Sequence, residues 1–179
     1  MHPTLIPREH MMSRVSGAMN AVYVTGDATG PILLYGQGAG MMPTASAVVS
    51  DILDLARNLM RGGAGRVPPL GCGNALESTR LIKPLNDLVT SYYFRFAALD
   101  RPGVLAQVSG VLGNYGISIA AVTQKGREVA GTVPIVMITH EAREADVRQA
   151  LKMIDQLPVV SPPAIFYRIE DPHLHSARI

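Results

Sequence analysis

The stretch Leu99-Asp100-Arg101-Pro102-Gly103-Val104-Leu105 constrains this chain most, because a strand period turns into a helix period across it. Before it, Tyr92, Phe94, Phe96 and Ala98 alternate with Tyr93, Arg95 and Ala97, the spacing of a half-buried strand. After it, Val104, Leu105, Val108, Val111, Leu112 and Tyr115 recur at helical spacing. Pro102 suits a helix start and Gly103 lets the backbone come close to a ligand, so the first-turn amides are placed to face a carboxylate. The same residues also suit an ordinary strand-to-helix connection, since proline and glycine punctuate such turns. Both readings are open on these residues alone.

Downstream, the order reads strand, helix, strand, strand, helix, strand. A second strand covers 117–124, entered through Tyr115-Gly116, and a third covers 133–139. A second helix spans 143–156, with Val147, Ala150, Leu151 and Ile154 on one stripe and Leu157-Pro158 as its stop. A last strand runs over 164–169. This is a split β-α-β pattern of the ferredoxin-like type, an α+β fold: a four-stranded antiparallel sheet with two helices on one face. The other face must be solvated or used for pairing.

Upstream, 21–24 leads into the turn cluster Thr25-Gly26-Asp27-Ala28-Thr29-Gly30, and 31–35 resumes an extended run, which together predict a hairpin. Gly36-Gln37-Gly38-Ala39-Gly40-Met41-Met42-Pro43-Thr44 then gives way to a helix carried by Val48, Val49, Ile52, Leu53, Leu55, Ala56, Leu59 and Met60, ending near Arg61-Gly62-Gly63. Residues 63–91 are rich in glycine, proline and polar side chains and read as a linker. The expected organisation is a first segment over 1–62, the linker, a second domain over 92–171 and a tail over 172–179.

A net charge of +2 and no block of basic residues with interleaved aromatics argue against a nucleic-acid partner. Apolar runs such as 119–122 and 135–138 are far short of a membrane span, and the N-terminus lacks the order of a signal peptide, so a cytoplasmic location is expected. Cys72, the one cysteine, excludes an internal disulfide and a multi-cysteine metal site, and it reads as a small apolar residue.

The string Tyr92-Tyr93-Phe94-Arg95-Phe96, then Asp100-Arg101-Pro102-Gly103-Val104-Leu105, Gly116-Ile117-Ser118-Ile119 and Gln124-Lys125-Gly126, resembles an ACT domain, an amino-acid-sensing module. His2-Pro3-Thr4-Leu5-Ile6-Pro7, Gly17-Ala18-Met19-Asn20-Ala21 and Tyr35 to Val48 with Asp51 resemble the end of the catalytic region of homoserine dehydrogenase. Enzymes of that family interconvert L-homoserine and L-aspartate 4-semialdehyde with NAD(P). Their Rossmann domain and their catalytic lysine and aspartate lie upstream of the matched part. The resemblance therefore implies the C-terminal portion of such an enzyme, as a fragment or as a split subunit, inactive alone. A free-standing ACT dimerisation module is the other reading.

In the resembling enzymes, the residues matching Gly40 and Thr44 sit beside the nicotinamide nucleotide. Gly40 permits close backbone approach and Thr44 offers a hydroxyl at a helix start; a glycine turn with an N-cap explains the same pair. The cluster Gly36, Gly38, Gly40 fails as a dinucleotide fingerprint, since Met41 takes its last position and no parallel strand follows the helix. NAD(P) is thus expected only in the parent enzyme.

For the second domain, the resemblance implies an allosteric amino-acid site, with L-threonine the usual effector. Asp100 is placed to accept from the ligand's ammonium or hydroxyl, and the amides of Gly103, Val104 and Leu105 to meet its carboxylate. Asn114 and Gln124 are candidates for polar contacts across a domain pair. The plain alternatives are that Asp100 caps the helix, Asn114 closes it, and Gln124 is a solvated strand end. A homodimer is expected, through ACT domains or through the N-terminal strands, whose edges invite pairing. His173-Leu174-His175 lies in a polar tail with no third ligand, and no metal is expected. Glu141, Glu144 and Asp146 suit the dipole of the second helix rather than catalysis, and no nucleophile and base pair is found.

Overall fold

The computed structural model describes residues 2–63, 83–124 and 131–170. The linker stretch 64–82 with Cys72, the pair Lys125-Gly126, and the tail with His173 and His175 lie outside the described residues. The elements are β1 (Thr4–Leu5), β2 (Met19–Gly26), β3 (Gly30–Gln37), α1 (Met41–Met60), β4 (Val89–Leu99), α2 (Val104–Asn114), β5 (Ile119–Gln124), β6 (Thr132–Thr139), β7 (Ala142–Arg143), α3 (Glu144–Ile154) and β8 (Val160–Ile169). They divide into two compact units, one of Met1–Pro7 with Ile82–Ile179 and one of Arg8–Leu81.

In the larger unit the strand order is β1-β8-β4-β6-β5, with β7 on the start of β4. β4, β6, β5 and β8 pair antiparallel, the expected ferredoxin-like sheet. β4 is central because its sequence alternates so cleanly: Tyr92, Phe94, Phe96 and Ala98 are fully buried, and they pack with Val104, Val108 and Leu112 of α2 and Val147, Ala150 and Ile154 of α3. Each large apolar side chain buried there contributes about 2 kcal/mol. α2 closes through Gly116 (φ 70°), whose amide donates to the Gly113 carbonyl at 2.9 Å while the Ile117 amide reaches the Leu112 carbonyl at 3.0 Å. That double bond pattern stops a helix only where the residue after the cap tolerates the left-handed region, which glycine does. Leu112 and Ile117 then meet in the core.

Three features depart from the sequence expectations. β1 is parallel to β8, with Thr4 opposite Arg168 and Leu5 opposite Ile169, so the first residues of the chain join the sheet of the second domain rather than the segment that follows them. Its short length follows from Pro3 and Pro7, which lack the amides needed to extend the ladder. β4 also begins three residues before the expected Tyr92, at Val89, inside what reads as linker.

The third departure is Glu144. It opens α3 as expected, but it is fully buried and collects every donor around it. The Tyr92 hydroxyl donates to Oε2 at 2.8 Å, Arg168 donates to both oxygens, with Nε at 2.8 Å, and Arg148, one helical turn on, donates from Nε at 2.7 Å. The Phe166 ring lies 5.9 Å from the Arg148 guanidinium and 5.6 Å from that of Arg168. Burial alone pushes the carboxyl up, but the hydrogen bonds from Arg168 and Tyr92 and the two guanidinium charges outweigh it, so Glu144 titrates below its ordinary value. Burial and the neighbouring carboxylate push the Tyr92 hydroxyl up.

The smaller unit is a hairpin and a helix. β2 and β3 pair in the register Val22 to Leu34 and Val24 to Ile32, and all four of these side chains are exposed. No residue of α1 is buried, although Val48, Ile52, Leu55 and Leu59 form an apolar stripe.

Removing a partner from a buried ion pair leaves an uncompensated charge. Glu144→Gln is expected to cost about 3 kcal/mol in urea unfolding, and Arg148→Ala, at a side chain 46% exposed, less than about 1 kcal/mol. Because the carboxyl's folded value lies below its unfolded one, its contribution is complete above about pH 4.5 and drains as pH falls further; Glu144→Gln flattens that acid limb.

Candidate functional site

The end of β4, the turn after it and the start of α2 enclose a crevice of about 330 Å³. Of the residues expected from sequence, Asp100, Gly103, Val104, Leu105 and Gln124 all line it; Leu99, Arg101, Pro102 and Ile135 complete the wall. Gln124 arrives from the end of β5, opposite Ile135 of β6, and the antiparallel register brings it to the helix start. Ile135 is buried and forms an apolar floor. It was not foreseen, because its place follows from strand pairing and no local motif announces it.

The N-cap of α2 is Gly103, with φ 87° and no side-chain hydrogen bond at the cap. Asp100 is therefore not spent on capping, and its carboxylate is exposed on the crevice wall. The Val104 amide reaches back to the Arg101 carbonyl at 3.4 Å, and the Gln107 amide donates to the Gly103 carbonyl at 3.1 Å. The amides of Leu105 and Ala106 remain the open donors of the first turn. Val104 is thus a weaker donor toward a ligand than the sequence suggests. The result is a carboxylate, a guanidinium and helix-opening amides around a small apolar floor, which suits a zwitterion with a short side chain.

Asn114 ends α2, ten residues and about 15 Å along the helix from its start, so one chain does not bring it to the crevice. It is exposed.

Gly40 is the N-cap of α1, with φ 121°, a backbone that favours glycine. Thr44 does not open that helix: α1 starts at Met41, Pro43 sits in its first turn, and the Thr44 amide already donates to the Gly40 carbonyl at 3.2 Å. The amides of Gly38 and Ala39 both donate to the Ala18 carbonyl, at 3.2 and 3.3 Å. Two amides of the glycine cluster are thereby committed to the turn before β2. A hollow of about 540 Å³ along the hairpin, lined by Asn20, Tyr35 and Gly38 among others, includes neither Gly40 nor Thr44. No group of three metal-ligating side chains is found among the described residues, and no helix among them is long and apolar enough to cross a membrane.

Comparison with known proteins yields two families. Residues 1–53 match the family described as homoserine dehydrogenase, and residues 92–158 match the ACT domain. The chain is similar to the homoserine dehydrogenase of Neisseria gonorrhoeae, 42% identical over 173 residues, an alignment taking in 97% of this chain and 40% of that one. The enzyme of Pseudomonas aeruginosa is 42% identical over 171 residues, 95% of this chain and 39% of that one. The crystal structure of a homoserine dehydrogenase from Thiobacillus denitrificans superposes with a TM-score of 0.78 at 42% identity, covering 95% of this chain and 38% of that one. The chain spans about two fifths of the length of the curated relatives it matches.

Gly103 holds the mouth of the crevice in a backbone region that side chains disfavour, with open space where a Cβ would stand. Gly103→Ala is expected to cost about 1 kcal/mol in thermal or urea unfolding from backbone strain alone.

Proposed function

From a chain that belongs to the homoserine dehydrogenase family, as a C-terminal portion carrying an ACT domain, we propose a regulatory part of that enzyme that senses an amino acid, L-threonine first among candidates. The observation that carries the reading is the convergence of an uncommitted Asp100 carboxylate, open first-turn amides and Gln124 on one crevice. Asp100 binds the ammonium, the α2 amides bind the carboxylate, and the side chain rests against Ile135. On this reading the parent enzyme interconverts homoserine and aspartate semialdehyde with NAD(P).

The sheet edges favour a homodimer through β5. The β8 edge is guarded: Pro162 and Pro163 carry no amide, the Ala164 amide donates to the Asp155 carboxylate at 2.9 Å, and β1 covers Arg168 and Ile169. β5 has neither charge nor proline from Ile119 to Gln124. Antiparallel pairing of two β5 strands about their middle sets Gln124 beside the partner's Ile119. The partner's Asn114, just upstream, then lies near the crevice mouth, and the contact across a domain pair expected for Asn114 becomes possible.

A second role rests on the exposed apolar side chains of α1 and of the hairpin. We propose that this face docks on the remainder of a homoserine dehydrogenase catalytic region, in the same polypeptide or in trans. Mixing with a separate nucleotide-binding subunit then restores NADPH-dependent reduction of aspartate semialdehyde; no gain in rate removes the trans form.

Calorimetry with L-threonine is expected to give saturable heat in the millimolar range or below, with Asp100→Ala weakening binding at least tenfold. No heat with folded protein overturns the effector. Val122→Lys, which charges the free edge, is expected to shift the mass in light scattering from dimer to monomer, and an unchanged dimer rejects the β5 interface.

A further inference from the structure

Both β8 residues that hold β1 are themselves tied to β4. Arg168, opposite Thr4, is anchored through Glu144 to the Tyr92 hydroxyl, and the carbonyl of Ile169, opposite Leu5, accepts from the Thr90 hydroxyl at 2.6 Å. The Glu170 amide adds a bond to the Leu5 carbonyl at 2.9 Å. From Tyr92, the same β4 strand runs seven residues, about 24 Å, to Leu99 and Asp100 at the crevice. One central strand therefore carries the ligand crevice at one end and the seat of β1 at the other.

β1 is a lightly held piece of that sheet. It pairs at two positions only, Pro3 and Pro7 forbid its extension, and Leu5 is exposed. Such an element attaches and detaches far more readily than the strands inside the sheet. Beyond Pro7 the chain leaves this unit for the hairpin unit, so β1 is one of its two covalent ties to that segment.

We propose that β1 is a strap whose hold on β8 tightens when an amino acid fills the crevice at the far end of β4. The inference rests on the amino-acid reading of that crevice. A ligand that orders the end of β4 and the start of α2 pays in advance part of the entropy that docking β1 must otherwise pay, which couples the two events without a large change of shape. Coupling of this kind is reciprocal: loss of the strap weakens the ligand by the factor with which the ligand strengthens the strap.

Amide hydrogen exchange of the full chain with and without saturating L-threonine tests this. Slowing of at least threefold at the Leu5 and Glu170 amides, alongside protection at Leu105 and Ala106, is the expected result. Protection in the crevice with no change at Leu5 and Glu170 overturns the strap and leaves the effector reading standing. No protection at either place overturns both. Leu5→Pro removes an amide at the edge of the sheet and is expected to raise the dissociation constant for L-threonine at least threefold while β4 and β6 keep their protection. An unchanged constant also overturns the strap.

Discussion

A single carboxylate holds three elements of the sensing unit in register. Glu144 begins α3, Tyr92 lies on β4 and Arg168 on β8, and no solvent reaches the Glu144 side chain that joins them. Burying one charge is expensive, and the cost is met here because each oxygen accepts from a guanidinium and one accepts from a phenol as well. The helix contributes too, since a negative side chain in its first turn faces the positive end of the dipole. Apolar packing would serve α3 anywhere along its stripe. The carboxylate permits only the placement in which all its donors meet, so it sets how α3 sits on β4 and β8.

That fixed frame explains where the unit is open and where it is closed. With α2 and α3 on one face, the sheet offers its other face and two edges to the surroundings. Proline, a capped amide and β1 close the β8 edge, while β5, without charge or proline from Ile119 to Gln124, pairs on one side only among the described residues. Gln124 lines the crevice from β5, so the crevice and the β5 edge meet at that residue.

Much of this was legible in the sequence. The alternation from Tyr92 to Ala98, the glycine stop at Gly116 and the stripe of Val147, Leu151 and Ile154 depend on neighbours within a few residues, and each element formed where its pattern lay. The crevice residues from Asp100 to Leu105 were readable for the same reason. Sequence alone shows Glu144 only as a dipole partner, because just Arg148, one turn away, is visible locally; Arg168 and Tyr92 reach it through strand pairing. β1 was missed because two residues carry no periodicity, and its partner lies at the other end of the chain. Thr44 was misplaced by a subtler route. Proline in a first turn is allowed, so the helix starts before the residue whose hydroxyl looked like its opening.

The two units differ in what they can stand on. The sensing unit closes its own core, with Phe94, Phe96, Leu112 and Ile154 fully buried. In the other, a twenty-residue helix buries none of its residues and the paired side chains of the hairpin face outward. Hydrophobic burial is the main force that can hold such a helix, and an exposed apolar stripe of that kind is the surface on which the proposed docking rests. The hairpin and α1 as far as residue 53 fall in the part that matches the homoserine dehydrogenase family, and the aligned relatives extend well beyond the length covered here. The same sequence therefore holds one unit that closes its own core and one whose helix and hairpin leave their apolar side chains exposed, and β1 belongs to the first although it precedes the second along the chain.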